Sequence, residues 1–320
     1  MKKIDVIIPM YNRAHCIDHL LDTLQSQTMQ DFRVIFVDDG SVDETQKILP
    51  EAMKRVAFPY LLIAQENKGA GAARNTGLKV SDAEWIVFVD SDDTLVPEYL
   101  EYLYNAVTRC NADFGYCDFV MIPDAPDIQV PEAGALKMQA ITAAECMKLH
   151  YTKWLSNATL MIRGSFQREN KIFYDEDCTY TEDNTLVTDL IAAANTVAKV
   201  NNVLYLYHIY SGSRSRSPDI TKYISGIESF KRTEAKLKDA DTEAAKAFRA
   251  MAPGRYYLAT YRKAAVQTSY KDFCKLADLV PMKPYREQFA TFPLKHRIAG
   301  YVLLMSKTLF YWMMRLMFRD

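Results

Sequence analysis

Two runs of acidic residues each follow a short apolar stretch: Val37-Asp38-Asp39-Gly40-Ser41 and Val89-Asp90-Ser91-Asp92-Asp93. Carboxylates crowded at one place repel one another unless a cation or hydrogen-bond donors offset them. Hard oxygen ligands with open coordination positions suit Mg²⁺ or Mn²⁺ shared with substrate phosphates. An aspartate pair after a strand also serves in turns and helix N-caps, so either run alone is ambiguous. Two runs at equivalent places in one sheet favour a ligand site. A third segment, Asn67-Lys68-Gly69-Ala70-Gly71-Ala72-Ala73-Arg74-Asn75, joins a strand to a helix. As a dinucleotide fingerprint it is weak, because Arg74 stands where the third glycine belongs and the segment follows the third strand. As a glycine-rich turn entering a helix, with Lys68 and Arg74 nearby, it suits a phosphate or nucleotide.

The elements that must carry these groups alternate. Ile4–Pro9, Arg33–Val37, Tyr60–Ala64 and Trp85–Val89 are apolar on both faces, as buried parallel strands are. Between and after them lie helical patterns at Cys16–Gln27, Gly71–Val80 and Pro97–Arg109, with Pro97 in the first helical turn. Strands alternating with helices imply βαβ units and an α/β fold. Ligands then bind outside the carboxyl ends of the strands, where the acidic runs fall. Further on, Asp113–Met121 reads as strand, Ile122–Gly134 as loop, Thr142–Tyr151 as helix, Asn157–Arg163 as strand, Glu182–Ala194 as helix and Val197–Tyr207 as strand. After the Ser/Arg tract Ser211–Ser217, helical patterns dominate.

Length and composition narrow the classes. A chain of 320 residues, 49% hydrophobic and 25% charged, is an ordinary globular protein of one enlarged or two domains. The 39 basic residues balance 40 acidic ones, which argues against a nucleic-acid partner. Six cysteines without CxxC spacing read as reduced thiols of a cytoplasmic protein. Asp5, Pro9, Asn12 and Arg13 interrupt the apolar start, so no secretory signal is expected.

Taken together, the motifs resemble glycosyltransferase family 2, bacterial enzymes of the GT-A fold. The resemblance rests on Val6-Ile7-Ile8-Pro9-Met10-Tyr11-Asn12, Gln27-Thr28, Val37 to Asp43, Gly71 to Gly77, Phe88 to Asp93, Tyr180-Thr181-Glu182-Asp183 and the strand leading to Tyr207-His208. It implies a Rossmann-like, mostly parallel sheet flanked by helices, and an inverting, metal-dependent transfer from a nucleotide-sugar, with a UDP-sugar as the expected donor. Pro9, Tyr11, Asn12, Asp39, Arg74, Asp90 and Ser91 would then bind the nucleotide-sugar, Tyr11 by stacking and Asp39 by accepting from the uracil imide. Asp90 and Asp92 match the DxD motif, Asp92 as metal ligand, Asp90 as ribose contact and further ligand, and Asp93 as substitute. The ion would be Mn²⁺ or Mg²⁺. Asp183, with Glu182 beside it, would be the catalytic base. His208 would stand near the diphosphate and metal, supported by Ser211, Ser213 and Arg214, although an ordinary strand histidine explains it as well.

A nucleotidylyltransferase would want a glycine-rich basic loop after the first strand, where this chain has Pro9-Met10-Tyr11-Asn12. A receiver domain would carry its acidic pair after the first strand instead of the second. A catalytically inactive binding or scaffold protein would have lost a site carboxylate, and all of them are present. The expected organisation is a catalytic domain over 1–218, its nucleotide-binding half about 1–121 and its acceptor half about 122–218, followed by a helical region over 219–320. In that region Ile298–Phe318 forms a two-faced helix. Lys307, Thr308, Tyr311, Arg315 and Arg319 share one arc; Ile298, Val302, Met305, Leu309, Trp312, Met313 and Leu316 lie opposite. A helix lying in a membrane interface is the favoured reading, its basic residues meeting anionic headgroups. Packing of the apolar arc onto the catalytic domain is the alternative. The acceptor that fits is a saccharide or lipid-linked saccharide of cell-surface polysaccharide synthesis (capsule or O-antigen), on the inner face of the cytoplasmic membrane.

Overall fold

The computed structural model describes residues 2–123, 130–209 and 217–318. Strand β1 (Ile4–Met10) leads into α1 (Ile17–Gln25), whose Ile17, Leu20, Leu21 and Leu24 recur at helical spacing and are all buried. The alternation continues through β2 (Phe32–Asp38), α2 (Thr45–Ala52), β3 (Tyr60–Ala64), α3 (Ala70–Val80) and β4 (Trp85–Phe88). Helix α3 presses against β1 at Gly77, where an added Cβ would lie 2.4 Å from Ile7 Cγ2. Any other residue there would push helix and strand apart.

Beyond β4 come β5 (Thr94–Leu95), α4 (Tyr99–Arg109), β6 (Phe114–Pro123), β7 (Met138–Thr142), α5 (Ala143–Lys153), β8 (Leu160–Arg163), α6 (Gly164–Glu169), α7 (Glu182–Ala193) and β9 (Thr196–Ile209). One nine-stranded sheet runs in the order β3-β2-β1-β4-β8-β6-β9-β5, with β7 also on β9. Strands β3, β2, β1 and β4 are parallel, as expected. The rest of the sheet adds antiparallel strands to that parallel part: β8 is antiparallel to β4 and β6, β5 and β7 are antiparallel to β9, and β6 and β9 pair in parallel. Apolar runs record burial and not strand direction. A correction concerns β3, which is an edge strand with Tyr60 and Leu61 exposed rather than buried on both faces. Pro97 precedes α4 instead of lying in its first turn.

Successive β1 side chains face two cores. Ile7 joins Ile35, Val37 and Phe88 on one side; Val6 and Ile8 join Val34, Phe36 and Val87 on the other. The first core continues through Tyr223, Phe230, Phe248 and Tyr257 to Phe310. Those residues lie on α8 (Ile220–Leu237), α9 (Glu243–Gln267) and α12 (Lys307–Met317), which α10 (Tyr270–Leu279) and α11 (Leu294–Met305) accompany. All six cysteines are free, and four of them are buried.

The final segment is two helices, broken at Ser306, whose hydroxyl caps α12. The arc expected to meet headgroups instead docks on the protein. Lys307 pairs with Asp278, Thr308 bonds Tyr270, and both Tyr311 and Arg315 donate to the Thr268 carbonyl. The opposite arc stays open: Ile298, Met305, Leu309, Trp312 and Leu316 are exposed. Polar side chains that find partners on α10 and at the end of α9 hold the helix in this orientation. No helix among the described residues is long and apolar enough to cross a membrane.

Candidate active site

The carboxyl ends of β1, β2 and β4 open on a cleft of about 760 Å³. Pro9, Tyr11, Asp39, Arg74, Asp90, Ser91, Asp92 and His208 line it, residues that the sequence nominates separately. Tyr11 presents an open ring at 44% exposure. Asp39 is buried and accepts from Gln65 Nε2 at 2.8 Å, Lys68 N at 2.9 Å and Gly69 N at 2.8 Å. Two amides of the glycine-rich turn, those of Lys68 and Gly69, are therefore spent on Asp39. Lys68 itself is exposed and, among the described residues, does not line the cleft. Asp38 is a turn residue, its carboxylate taking Ser41 N, Ser41 Oγ and Gln46 Nε2. Asn12 is corrected too. Its side-chain oxygen accepts from Val42 N at 2.9 Å and Asp43 N at 3.3 Å, so it splices two loops together rather than lining the cleft.

Across the cleft stand the acids of the β4 turn. Asp90 takes Arg74 Nη2 at 2.6 Å, and Asp92 lies 3.1 Å from Arg13 Nη2. Ser91 Oγ accepts from Arg13 Nε at 3.0 Å, so this arginine, which the sequence reading passed over, braces the whole turn. Burial, together with the Asp90 charge, pushes the Asp92 carboxyl up, and the Arg13 cation works against this. Asp93 is corrected from substitute ligand to structural anchor. It is buried, accepts from Tyr205 Oη at 2.6 Å and His208 N at 2.9 Å, and is held well above the usual range by burial and by Asp90. Thr94 Oγ1 lies 2.8 Å from His208 Nε2 and 2.7 Å from His19 Nε2. A hydroxyl donates once, so at least one of these imidazoles donates to it. Ser211, Ser213 and Arg214 lie outside the described residues.

A second cleft, of about 820 Å³, adjoins the first. Ala70, Arg74, Asp90, Tyr207 and His208 line both, so the two share a wall. Arg74 is the hinge of the arrangement. Burial disfavours its charge, but Asp90, Tyr174 and Glu182 outweigh that and raise its pKa; Glu182 Oε1 lies 3.6 Å from its Nη1. Asp183 enters the second cleft from the first turn of α7, with its carboxyl pushed up to about 7 by burial first and by Glu182 next.

The residue before this pair is strained. Thr181 has φ 61° and ψ 28°, a left-handed conformation that a β-branched residue adopts only when its surroundings impose it. Its hydroxyl lies 2.7 Å from Tyr256 Oη, and Tyr256 stacks on Phe230 with ring centroids 3.8 Å apart. Beneath the loop, a Cβ on Gly226 would meet Tyr180 O at 2.8 Å. Helices α8 and α9 thus set the direction in which α7 presents Asp183. Arg255, Tyr256 and Lys263 of α9 also line the second cleft, and none was singled out from sequence. A tyrosine-rich stretch beside basic residues (Arg255-Tyr256-Tyr257, Tyr261-Arg262-Lys263) is the available signal, and it is weak.

Against this geometry the comparisons with known proteins are direct. Residues 5–154 match the family described as Glycosyl transferase family 2. That stretch is a family 2 domain. The uncharacterized glycosyltransferase EpsJ of Bacillus subtilis is 30% identical over 220 residues, covering 67% of this chain and 63% of EpsJ. The poly(ribitol-phosphate) beta-N-acetylglucosaminyltransferase TarS of Staphylococcus aureus is 27% identical over 213 residues, covering 65% of this chain and 35% of TarS. The chain thus spans less than two thirds of either relative. In three dimensions, TarS residues 1–349 in complex with UDP-GlcNAc superpose with a TM-score of 0.71 and 22% identity, over 99% of this chain and 91% of that one. A Pyrobaculum calidifontis mannosyltransferase solved with GDP-Man and Mn²⁺ gives 0.57 and 18% identity, over 95% and 87%. The fold of the chain is GT-A.

Proposed function

We propose that this protein is an inverting, metal-dependent glycosyltransferase that moves a sugar from a nucleotide-sugar, with UDP as the expected nucleotide, to a saccharide or lipid-linked saccharide acceptor. The observation that carries the reading is the shared wall: a cleft rich in donor-type groups meets one holding Asp183 across Arg74 and Asp90. The donor lies in the first cleft, with its base against Tyr11 and Asp39. The acceptor hydroxyl, in the second, gives its proton to Asp183 as its oxygen bonds the anomeric carbon. The bond from that carbon to the diphosphate oxygen breaks on the opposite side, and the electron pair leaves with the nucleoside diphosphate. A carboxyl poised near neutrality suits a base working at that pH.

The donor groups suit a divalent cation. Among the described residues no three His, Cys, Asp or Glu side chains converge closely enough to cage one. Mn²⁺ and Mg²⁺ sites of this kind need only one or two carboxylates, because substrate phosphates complete the shell. Asp92 and Asp90, whose charges repel, are the groups that would hold the ion, with His208 close by. A bound cation would neutralise charge developing on the diphosphate. Offering UDP-, GDP- and CDP-sugars with Mn²⁺ tests the whole reading. One nucleoside diphosphate should be released, and chelation should stop its release. No release from any donor, at any metal concentration, would refute it.

Membrane attachment is part of the same proposal, in altered form. Lys307 and Arg315 are used inside the protein, so the exposed stripe of Ile298, Met305, Leu309, Trp312 and Leu316 would supply the affinity. A polymer of the cell surface as acceptor finds support in TarS, which is named for acting on poly(ribitol-phosphate). Replacing Leu309 and Trp312 by Glu should shift the protein from sedimenting with anionic vesicles to remaining in the supernatant. Equal partitioning of variant and parent would remove the membrane from the proposal.

A further inference from the structure

The acceptor cleft carries an imbalance of charge. Of the three carboxylates lining it, Asp90 and Glu182 both lie against Arg74. The third, Asp183, shares the lining with Lys153, Arg255 and Lys263. Among the described residues none of these three cations has an ion pair. Arg255 donates to the Thr291 carbonyl and lies 4.9 Å over the Phe292 ring, and Lys263 lies 5.7 Å over the Tyr180 ring. Lys263 is hemmed in by protein on most sides, yet it keeps a water-exposed surface because it stands in the cleft. Lys222, also over the Tyr180 ring, brings a like charge close. Asp183 is the carboxylate near Lys263. Arg255 and Lys263 are eight residues apart on α9, so they share one face about 12 Å apart, with the small Ala259 between them. The whole chain has a net charge of −1, so the excess of cations is local to this cleft.

Holding uncompensated like charges in a partly enclosed cleft costs free energy that a bound anion would recover. Lysine serves as a compact point charge for oxyanions. We propose that Lys263, backed by Arg255, forms an oxyanion subsite. The acceptor would then carry a phosphate or carboxylate near the hydroxyl it presents to Asp183. This inference rests on the proposed transferase function, since it assigns a substrate class to that enzyme's acceptor cleft.

The test uses the full chain, saturated with UDP and Mn²⁺, titrated with glycerol 3-phosphate, glucuronate and neutral glucose. The two anions should bind more tightly than glucose, and whichever binds more tightly identifies phosphate or carboxylate as the source of the charge. Lys263→Met should weaken the anions about tenfold or more and leave glucose unaffected, whereas Lys263→Arg should retain them. Anions that bind no better than glucose, that fail to bind, or that bind Lys263→Met as well as the parent would overturn the subsite. UDP affinity, measured on the same samples, separates the two claims. Its absence in the parent protein would count against the transferase reading, and its preservation in every variant confines any failure to the acceptor side.

Discussion

Replacing Asp183 with Asn is expected to cut sugar transfer about 10²–10⁴-fold, the usual contribution of a positioned general base, while leaving nucleotide affinity unchanged. Asn keeps the shape but cannot take the acceptor's proton. The parent should also show a pH signature. Its carboxyl is pushed up to about 7 and must be ionised to act. The rate should therefore rise with pH, about tenfold per unit below that value, and level off above it. The residual rate of Asp183→Asn should lose that limb. Initial rates of nucleoside diphosphate release between pH 5.5 and 8.5 would check both points. An Asn variant with wild-type transfer would move the base to Glu182, although Glu182 is already 3.6 Å from Arg74 and poorly placed to serve.

The second large effect is expected on the donor side. Asp92→Asn should abolish the Mn²⁺-dependent part of donor binding with little loss of stability. Loss of an outer-shell group alone weakens metal binding about 10–100-fold, so loss of a direct ligand should cost about 100-fold or more. The fold should survive because Asp92 faces the cleft with its side chain 24% exposed, and its ion pair with Arg13 is partly solvated. Arg13 also holds Ser91, so the turn keeps one of its braces in the variant. Donor KM should rise steeply with Mn²⁺ present, and thermal unfolding should barely move. A Tm several degrees lower would instead make Asp92 a structural residue like its neighbour Asp93.

What the sequence made legible follows from range. The donor cleft is built by strand ends of one βαβ series, and a residue after a buried parallel strand lies at the carboxyl edge whatever the rest of the chain does. Asp39, Asp90 and Asp92 could be placed by pattern for that reason. Asp93 could not be distinguished from Asp92, because its role depends on Tyr205 and His208, more than a hundred residues away. Asn12 and Lys68 were misjudged for a related reason. Both sit in loops that hydrogen-bond to the loop after β2, at Val42 and Asp39, about thirty residues away, and contacts between loops leave no periodic trace. Strand β5 was missed because two residues carry no pattern, and β7 because its residues are exposed or half-buried and form no apolar run. The C-terminal helices gave the reverse difficulty. Their two faces were plain in the sequence, yet which one docks was decided by Asp278, Tyr270 and Thr268 on other elements. The acceptor side was least legible of all, since Thr181, Tyr256 and Gly226 meet only in three dimensions.

The most direct test of the central claim is calorimetric titration of UDP, GDP, CDP and ADP into the purified protein, with and without Mn²⁺, repeated on Asp92→Asn. One nucleotide, UDP, should bind tightly, require the metal and fail to bind the variant. Binding that ignores both Mn²⁺ and Asp92, or no binding of any of the four, would contradict that claim.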